Sequence, residues 1–298
     1  MTATTPAAYS TLAISDVAPY VAPENGDFEP LILLDPEDSD DATITADSEA
    51  SDDTPIELVQ IKDPSQKYRS ASTAVVIDLT FLSPVAANYL ALVATNIVRG
   101  DTIRVQAFTD SGRTVVALDT GARNARPHSA TAKQVVRTHS NRVRFDNDSA
   151  YLYWRITIHV ISGQTYVEIG RLMLARGYQP RINPDFGGGF AFVPYDAQQF
   201  SDYGYESSED HGLGLREGNF KFSYMDQSEA YEQMIGLRQR RGLHGDFFID
   251  LQPYAQAGWE LVAMQATFKG RAEFAWQAMF NGGEQMMAHG LVVQEVAE

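Results

Sequence analysis

The chain has no cysteine. That excludes disulfides, thiolate metal sites and a cysteine nucleophile, and it suits folding in a reducing compartment. Long apolar runs are also missing. Arg, Asp or Glu interrupts every hydrophobic stretch well short of the roughly eighteen residues that a membrane helix needs. The opening MTATTPAAYSTLAISD has neither a basic start nor an apolar centre, so no secretory signal is expected. Basic residues are scarce, at 23 Lys and Arg against 39 Asp and Glu, for a net charge of -16. The imbalance is local: Met1–Pro55 holds thirteen acidic residues and no basic one, and the first cation is Lys62. The acidity is therefore a property of an N-terminal arm, and the rest of the chain is close to balanced. A pI near 4.7 opposes a nucleic-acid partner, which needs a basic surface.

Motifs that carry chemistry are missing as well. There is no Gly-x-Ser-x-Gly nucleophile turn. His128, His139, His159, His211, His244 and His289 never fall at a short metal-binding spacing. The glycine run in Phe186–Tyr195 lacks the following Gly-Lys-Ser/Thr of a phosphate loop. Gly212, Gly214 and Gly218 are spaced one residue too long for a dinucleotide fingerprint. Asp35–Asp41 lacks the interior Gly and terminal Glu of a calcium loop. A glycosidase needs two facing carboxylates. Glu206, Glu209, Asp210 and Glu260 lie beside Tyr203, Tyr205 and Trp259, but no spacing selects a pair. No catalytic residue, cofactor or metal site is predicted.

What is present is strand. Tyr151–Pro180 reads as two adjacent strands joined at Ser162-Gly163 and leaving through Gly177–Pro180. Ala42–Ala50, Ala74–Phe81, Asn88–Asn96, Asp101–Asp110, Thr114–Leu118 and Arg142–Phe145 bring the total to about eight, with no helix between them. Many short strands separated by turns predict a β-sandwich. Downstream, Asn219–Met225 alternates as a strand, and Asp226–Arg241 is the one clear helix. Asp226 and Glu229 stand at capping-box spacing there, and Arg238, Arg240 and Arg241 load its last turn. Strands follow at Phe247–Leu251, Trp259–Phe268, Ala272–Phe280 and Leu291–Val296. The expected fold is mainly β: an acidic, extended arm over 1–40, a β-sandwich over 41–180, and a small α+β domain over 181–298. The arm is read either as a solvated tail or as a segment that orders on a neighbouring subunit, anchored by Thr11–Ile14 and Pro30–Leu34.

The order DPSQKYRSAS, VVIDLTF, NYLALVATNI…GDTIRVQAF and YLYWRITI…VEIGRLML…YQP resembles the discoidin-like, galactose-binding-like jelly roll. It resembles in particular the versions found in tail proteins of tailed bacteriophages. The match covers roughly Asp41–Pro180, and the last third is similar to the C-terminal part of phage minor tail proteins. The resemblance implies a non-enzymatic component of a virion tail tip or baseplate, assembled in the host cytoplasm. Its partners would be further copies in a ring or trimer and other tail proteins. The broad fold also implies two alternatives: a module that binds host-surface glycans, and an accessory domain of a carbohydrate-degrading enzyme. For a sugar site the implied contacts are Tyr68, as aromatic platform, and Arg69, as planar donor.

Two sets of charged residues remain. Arg155, Glu168 and Arg171 interrupt the apolar runs of the Tyr151–Pro180 stretch and read as a structural ionic clasp, one carboxylate between two guanidinium groups. Arg113–Arg144 is the only basic stretch, with Asp119 its sole carboxylate. Its long polar insertion over Ala122–Ser140 is either a solvated loop or a partner contact through Arg123, Arg126, Lys133 and Arg137. An acidic arm, the chain's own or a neighbour's, would be the partner.

Overall fold

Tyr89–Val93 and Arg171–Ala175 are buried at every residue, and that single fact sets the architecture. An antiparallel strand with one solvated face alternates in burial; one buried throughout must be covered on both sides. These two strands and Ser140–Arg144 form a middle sheet. Leu90, Leu92, Val143, Leu172 and Leu174 point one way, into a core shared with an outer sheet. Tyr89, Ala91, Val93, Met173 and Ala175 point the other way, toward a third sheet.

The computed structural model describes residues 32–98, 100–125, 140–161, 163–180, 184–185, 189–193, 197–200, 206–209, 214–226, 229–251, 263–269, 274–281 and 284–296. The outer sheet runs Thr43–Ala46, Ala74–Val85, Tyr151–His159, Thr102–Phe108, Val116–Asp119. Ile77, Leu79, Ile103, Val105, Trp154, Ile156 and Ile158 are its inward row. Trp154 is fully enclosed, and its indole N–H donates to the Tyr151 carbonyl at 3.1 Å. Outer and middle sheets together make the jelly-roll sandwich that the strand pattern predicts.

The third sheet belongs to the α+β part. Its path is Gly177–Tyr178, Ile32–Leu34, Asp246–Asp250, Ala263–Phe268, Glu284–Glu295, Leu215–Asp226, Gly189–Val193. Leu33, Phe247, Ile249, Met264 and Ala266 face the helix, while Ile32, Leu34, Phe248 and Ala263 face the middle sheet. The molecule is thus layered as outer sheet, middle sheet, third sheet and helix.

Three readings are corrected here. The patch expected to anchor an extended arm is, over Ile32–Leu34, an internal strand of this chain, antiparallel to Asp246–Asp250 and Gly177–Tyr178. Three consecutive apolar residues suit a position covered on both faces. The helix is shorter than the sequence implies. It comprises a π-helical turn Ala230–Ile235 followed by an α-helix Gly236–Arg241, and Asp226 ends a strand opposite Met286. No side-chain capping bond forms at Glu229, whose carboxylate accepts the Tyr178 hydroxyl at 2.6 Å. The buried face is Ala230, Met234 and Leu237, while Tyr231 is exposed.

The acidic segment after Leu34 does find basic partners, within its own chain. Asp35 and Glu37 pair with Arg240 at 2.8 and 2.9 Å, and Asp40 pairs with Arg241 at 3.3 Å. Gly242 closes the helix at φ 58°, its N–H bonded to the Arg238 carbonyl.

Candidate functional site

The three residues read as one clasp lie on three different sheets. Arg155 points outward from the outer sheet and forks onto Asp78 across the ladder, at 2.8 and 2.9 Å. Glu168 lies at one end of the sandwich with Lys67 and Arg69, at 3.1 and 3.8 Å. Arg171 points inward and is buried between Asp246 at 2.8 Å and Asp40 at 2.7 Å. Side chains alternate along a strand, so Glu168 and Arg171, three residues apart, would face opposite ways even in one continuous strand, and the run is in any case split between sheets. Gly170 is where it splits: Glu168–Ile169 pairs with Tyr68–Arg69, and Arg171–Ala175 pairs with Tyr89–Val93.

Tyr68 is not an aromatic platform. It is fully buried, and its hydroxyl donates inward to the Ser48 carbonyl. Burial, with the negative charges of Asp47 and Glu49 nearby, pushes that hydroxyl well above the ordinary tyrosine range. Its neighbour Arg69 points the opposite way, as period-two geometry requires. The guanidinium lies over the Tyr166 ring, 3.6 Å from its centroid, so the aromatic neighbour of Arg69 is Tyr166.

Arg69 and Glu168 border a cleft of about 420 Å³ with Asp53, Ser65, Gln66 and Lys67. Lys67 and Arg69 both lean on Glu168, which leaves donors and an acceptor side by side on one wall. Asp63 shapes the loop: its carboxylate accepts from the Ser65 hydroxyl at 2.7 Å and the Ser65 N–H at 3.0 Å. Those bonds hold its pKa below the ordinary value. Sequence reasoning selected Arg69 and Glu168 for separate roles and missed Lys67, Gln66 and Tyr166. The signal was present in the segment DPSQKYR, where polar residues of both hydrogen-bonding senses flank a buried tyrosine.

Gly170 also lets the cleft loop seat. A Cβ there would stand 2.4 Å from the Pro64 carbonyl oxygen and 2.7 Å from the Ala94 Cβ. Gly170→Ala should therefore cost about 1–3 kcal/mol of stability. Denaturant unfolding measures this, and a loss below about 0.5 kcal/mol would show that the loop gives way freely.

Arg123 is not free to meet a partner: it donates to the Thr120 and Arg144 carbonyls, and burial holds its pKa below the ordinary value. Arg126, Lys133 and Arg137 lie outside the described residues. Glu206 and Glu209 sit on a strand paired with Ala197–Phe200, while Asp210 and Glu260 lie outside the described residues. Among the described residues no cluster of three or more His, Asp or Glu is placed to hold a metal ion. No helix among them is long and apolar enough to cross a membrane.

No family model matches this chain, and no curated protein matches it. Solved structures do. A Clostridium perfringens CBM32 module in complex with GalNAc-β-1,3-galactose is 8% identical, over 48% of this chain and 99% of that one, at a TM-score of 0.36. Chitosan-binding module 1 of a Paenibacillus sp. IK-5 chitosanase/glucanase is 15% identical, over 45% and 94%, at 0.34. A second C. perfringens CBM32 module, from a family 31 glycoside hydrolase, is 16% identical, over 47% and 97%, at 0.35. All three are carbohydrate-binding modules, whereas the sequence resemblance pointed to tail proteins.

Proposed function

We propose that this is a non-catalytic glycan-binding protein, with the sugar held at the cleft bounded by Ser65–Arg69 and Glu168. The observation that carries the reading is the arrangement of Arg69, Lys67 and Glu168 beside Tyr166. Sugars present hydroxyls that both donate and accept, and they are fixed by planar charged groups at the edge of an aromatic surface. Hydrogen bonds to charged groups contribute about 1.5–3 kcal/mol each. Arg69→Ala should thus weaken glycan retention by about tenfold or more, with an unchanged thermal midpoint. A glycan array probed with wild-type and variant chains makes the test. Silence of the wild-type chain across the array would overturn the reading, and polysaccharide turnover would replace it with an enzymatic one.

A second reading, a repeated component of a virion tail, is favoured by a different observation. Among the described residues Gly189–Val193 is the last strand of the third sheet, with Phe192 53% and Val193 37% exposed. An apolar, uncharged edge is a template for pairing with another chain. Strictly monomeric protein, absent from purified particles, would end this reading.

A further inference from the structure

The segment 56–67 has two sides. One side supplies Leu58, Ser65, Gln66 and Lys67 to the cleft. The other side is bonded to the α+β part. The Lys62 carbonyl accepts from the Gln265 side-chain amide at 2.8 Å, and the Lys62 ammonium donates to the His244 carbonyl. The Val59 carbonyl accepts from Arg171 of the middle sheet at 3.3 Å, and Arg171 is itself held by Asp246 of the third sheet. Gln265 is 1% exposed, and the same amide nitrogen donates to Asp246 at 2.7 Å, the carboxylate that holds Arg171. The third sheet thus grips the loop from behind, through groups that do not border the cleft.

We propose that the α+β part sets the binding geometry of the cleft, with Gln265 as the positioning residue; this rests on the glycan-binding reading. The turn around Asp63 fixes Ser65 and Gln66 relative to each other. The loop's far end is tied to Glu168 by the Arg69 ladder pair and the Lys67 ion pair, and its near end is placed by the anchor at Lys62. A buried amide bonded to a backbone carbonyl has no water to replace it, so the anchor is stiff. A cleft whose walls are held in place binds more tightly than one that must order on binding.

The test uses the full chain with Gln265→Met, which keeps side-chain volume and removes the donor. Amide hydrogen exchange across 62–67 should quicken about tenfold, with the Tyr151–His159 amides unchanged. Retention on the array should fall about tenfold while the set of bound sugars stays the same. Lys62→Met, a substitution at a partly exposed site, removes the ammonium contact with His244 and should shift both readouts the same way by less. Unchanged exchange in both variants would overturn the anchor. Quickened exchange with unchanged retention would overturn its role in binding. Silence of the wild-type chain on the array sinks the glycan reading instead, and the exchange result still decides the anchor.

Discussion

Arg171→Ala is expected to lower the free energy of unfolding by about 3–5 kcal/mol. The guanidinium is 1% exposed and meets Asp246 through Nε at 2.8 Å and Nη2 at 3.2 Å, with Asp40 at 2.7 Å from Nη1. Burial alone would push its pKa down, but Asp246 and Asp40 more than offset that and hold it above the usual value. Truncation leaves Asp246 without a counter-charge and Asp40 with Arg241 alone, the two carboxylates facing each other between sheets. The Asp40 carboxyl is already raised by burial and would rise further. The sign of the pH dependence follows. A carboxyl with a raised folded pKa binds more protons folded than unfolded, so the variant should regain stability as pH falls from 7 toward 4. Urea unfolding across that range checks both statements. Arg171→Met combined with Asp246→Leu should restore much of the loss, because an apolar pair of similar volume needs no counter-charge. A loss under about 1 kcal/mol in the single variant would mean that water reaches the site.

Asp250→Ala should cost about 3 kcal/mol, and its partner Tyr89 carries a separate signature at high pH. Asp250 is fully buried and accepts from the Tyr89 hydroxyl at 2.6 Å and from Arg142. Burial pushes the Tyr89 hydroxyl from 10.0 up to about 12, against the pull of Arg142 and Arg144. Because the folded value is the higher one, the wild-type stability from this group is complete below pH 10 and is lost between pH 10 and 12. The slope there is up to about 1.4 kcal/mol per pH unit. Tyr89→Phe should flatten the decline when thermal midpoints are followed from pH 8 to 11.5. A decline equally steep in Tyr89→Phe would assign it to other groups. Asp246 and Asp250 stand four residues apart on one face of one strand, so the two ion pairs bracket the apolar contact between the middle and third sheets.

The stretch Tyr151–Pro180 shows how far the residues alone lead. Its first strand was legible to within a residue, because Trp154, Ile156 and Ile158 alternate with Arg155 and Thr157 across a sheet with one solvated face. Its second strand was legible as apolar, but not as two ladders in two sheets. The break at Gly170 answers the approach of Pro64, a residue more than a hundred positions away, and local pattern holds no record of that. The helix was visible by its arginine-rich end, while its start was misplaced, since a strand claimed Asp226 through pairing with Met286. Of the site, Arg69 and Glu168 could be nominated, yet their meeting depends on a two-residue antiparallel ladder that composition does not encode.

By itself, then, the amino-acid order determined the strand-rich class, the sandwich over the middle of the chain, the acidic start and the lack of recognisable catalytic motifs. These follow from side-chain periodicity and from which residue types are present, both local properties. Tertiary structure decided the partners. Arg155 turned out to solvent toward Asp78, Glu168 to the cleft toward Lys67 and Arg69, and Arg171 inward to Asp246 and Asp40. An ionic group buried by its neighbours must find its counter-charge wherever the packed layers bring one near, and only the stacking of sheets determines where that is.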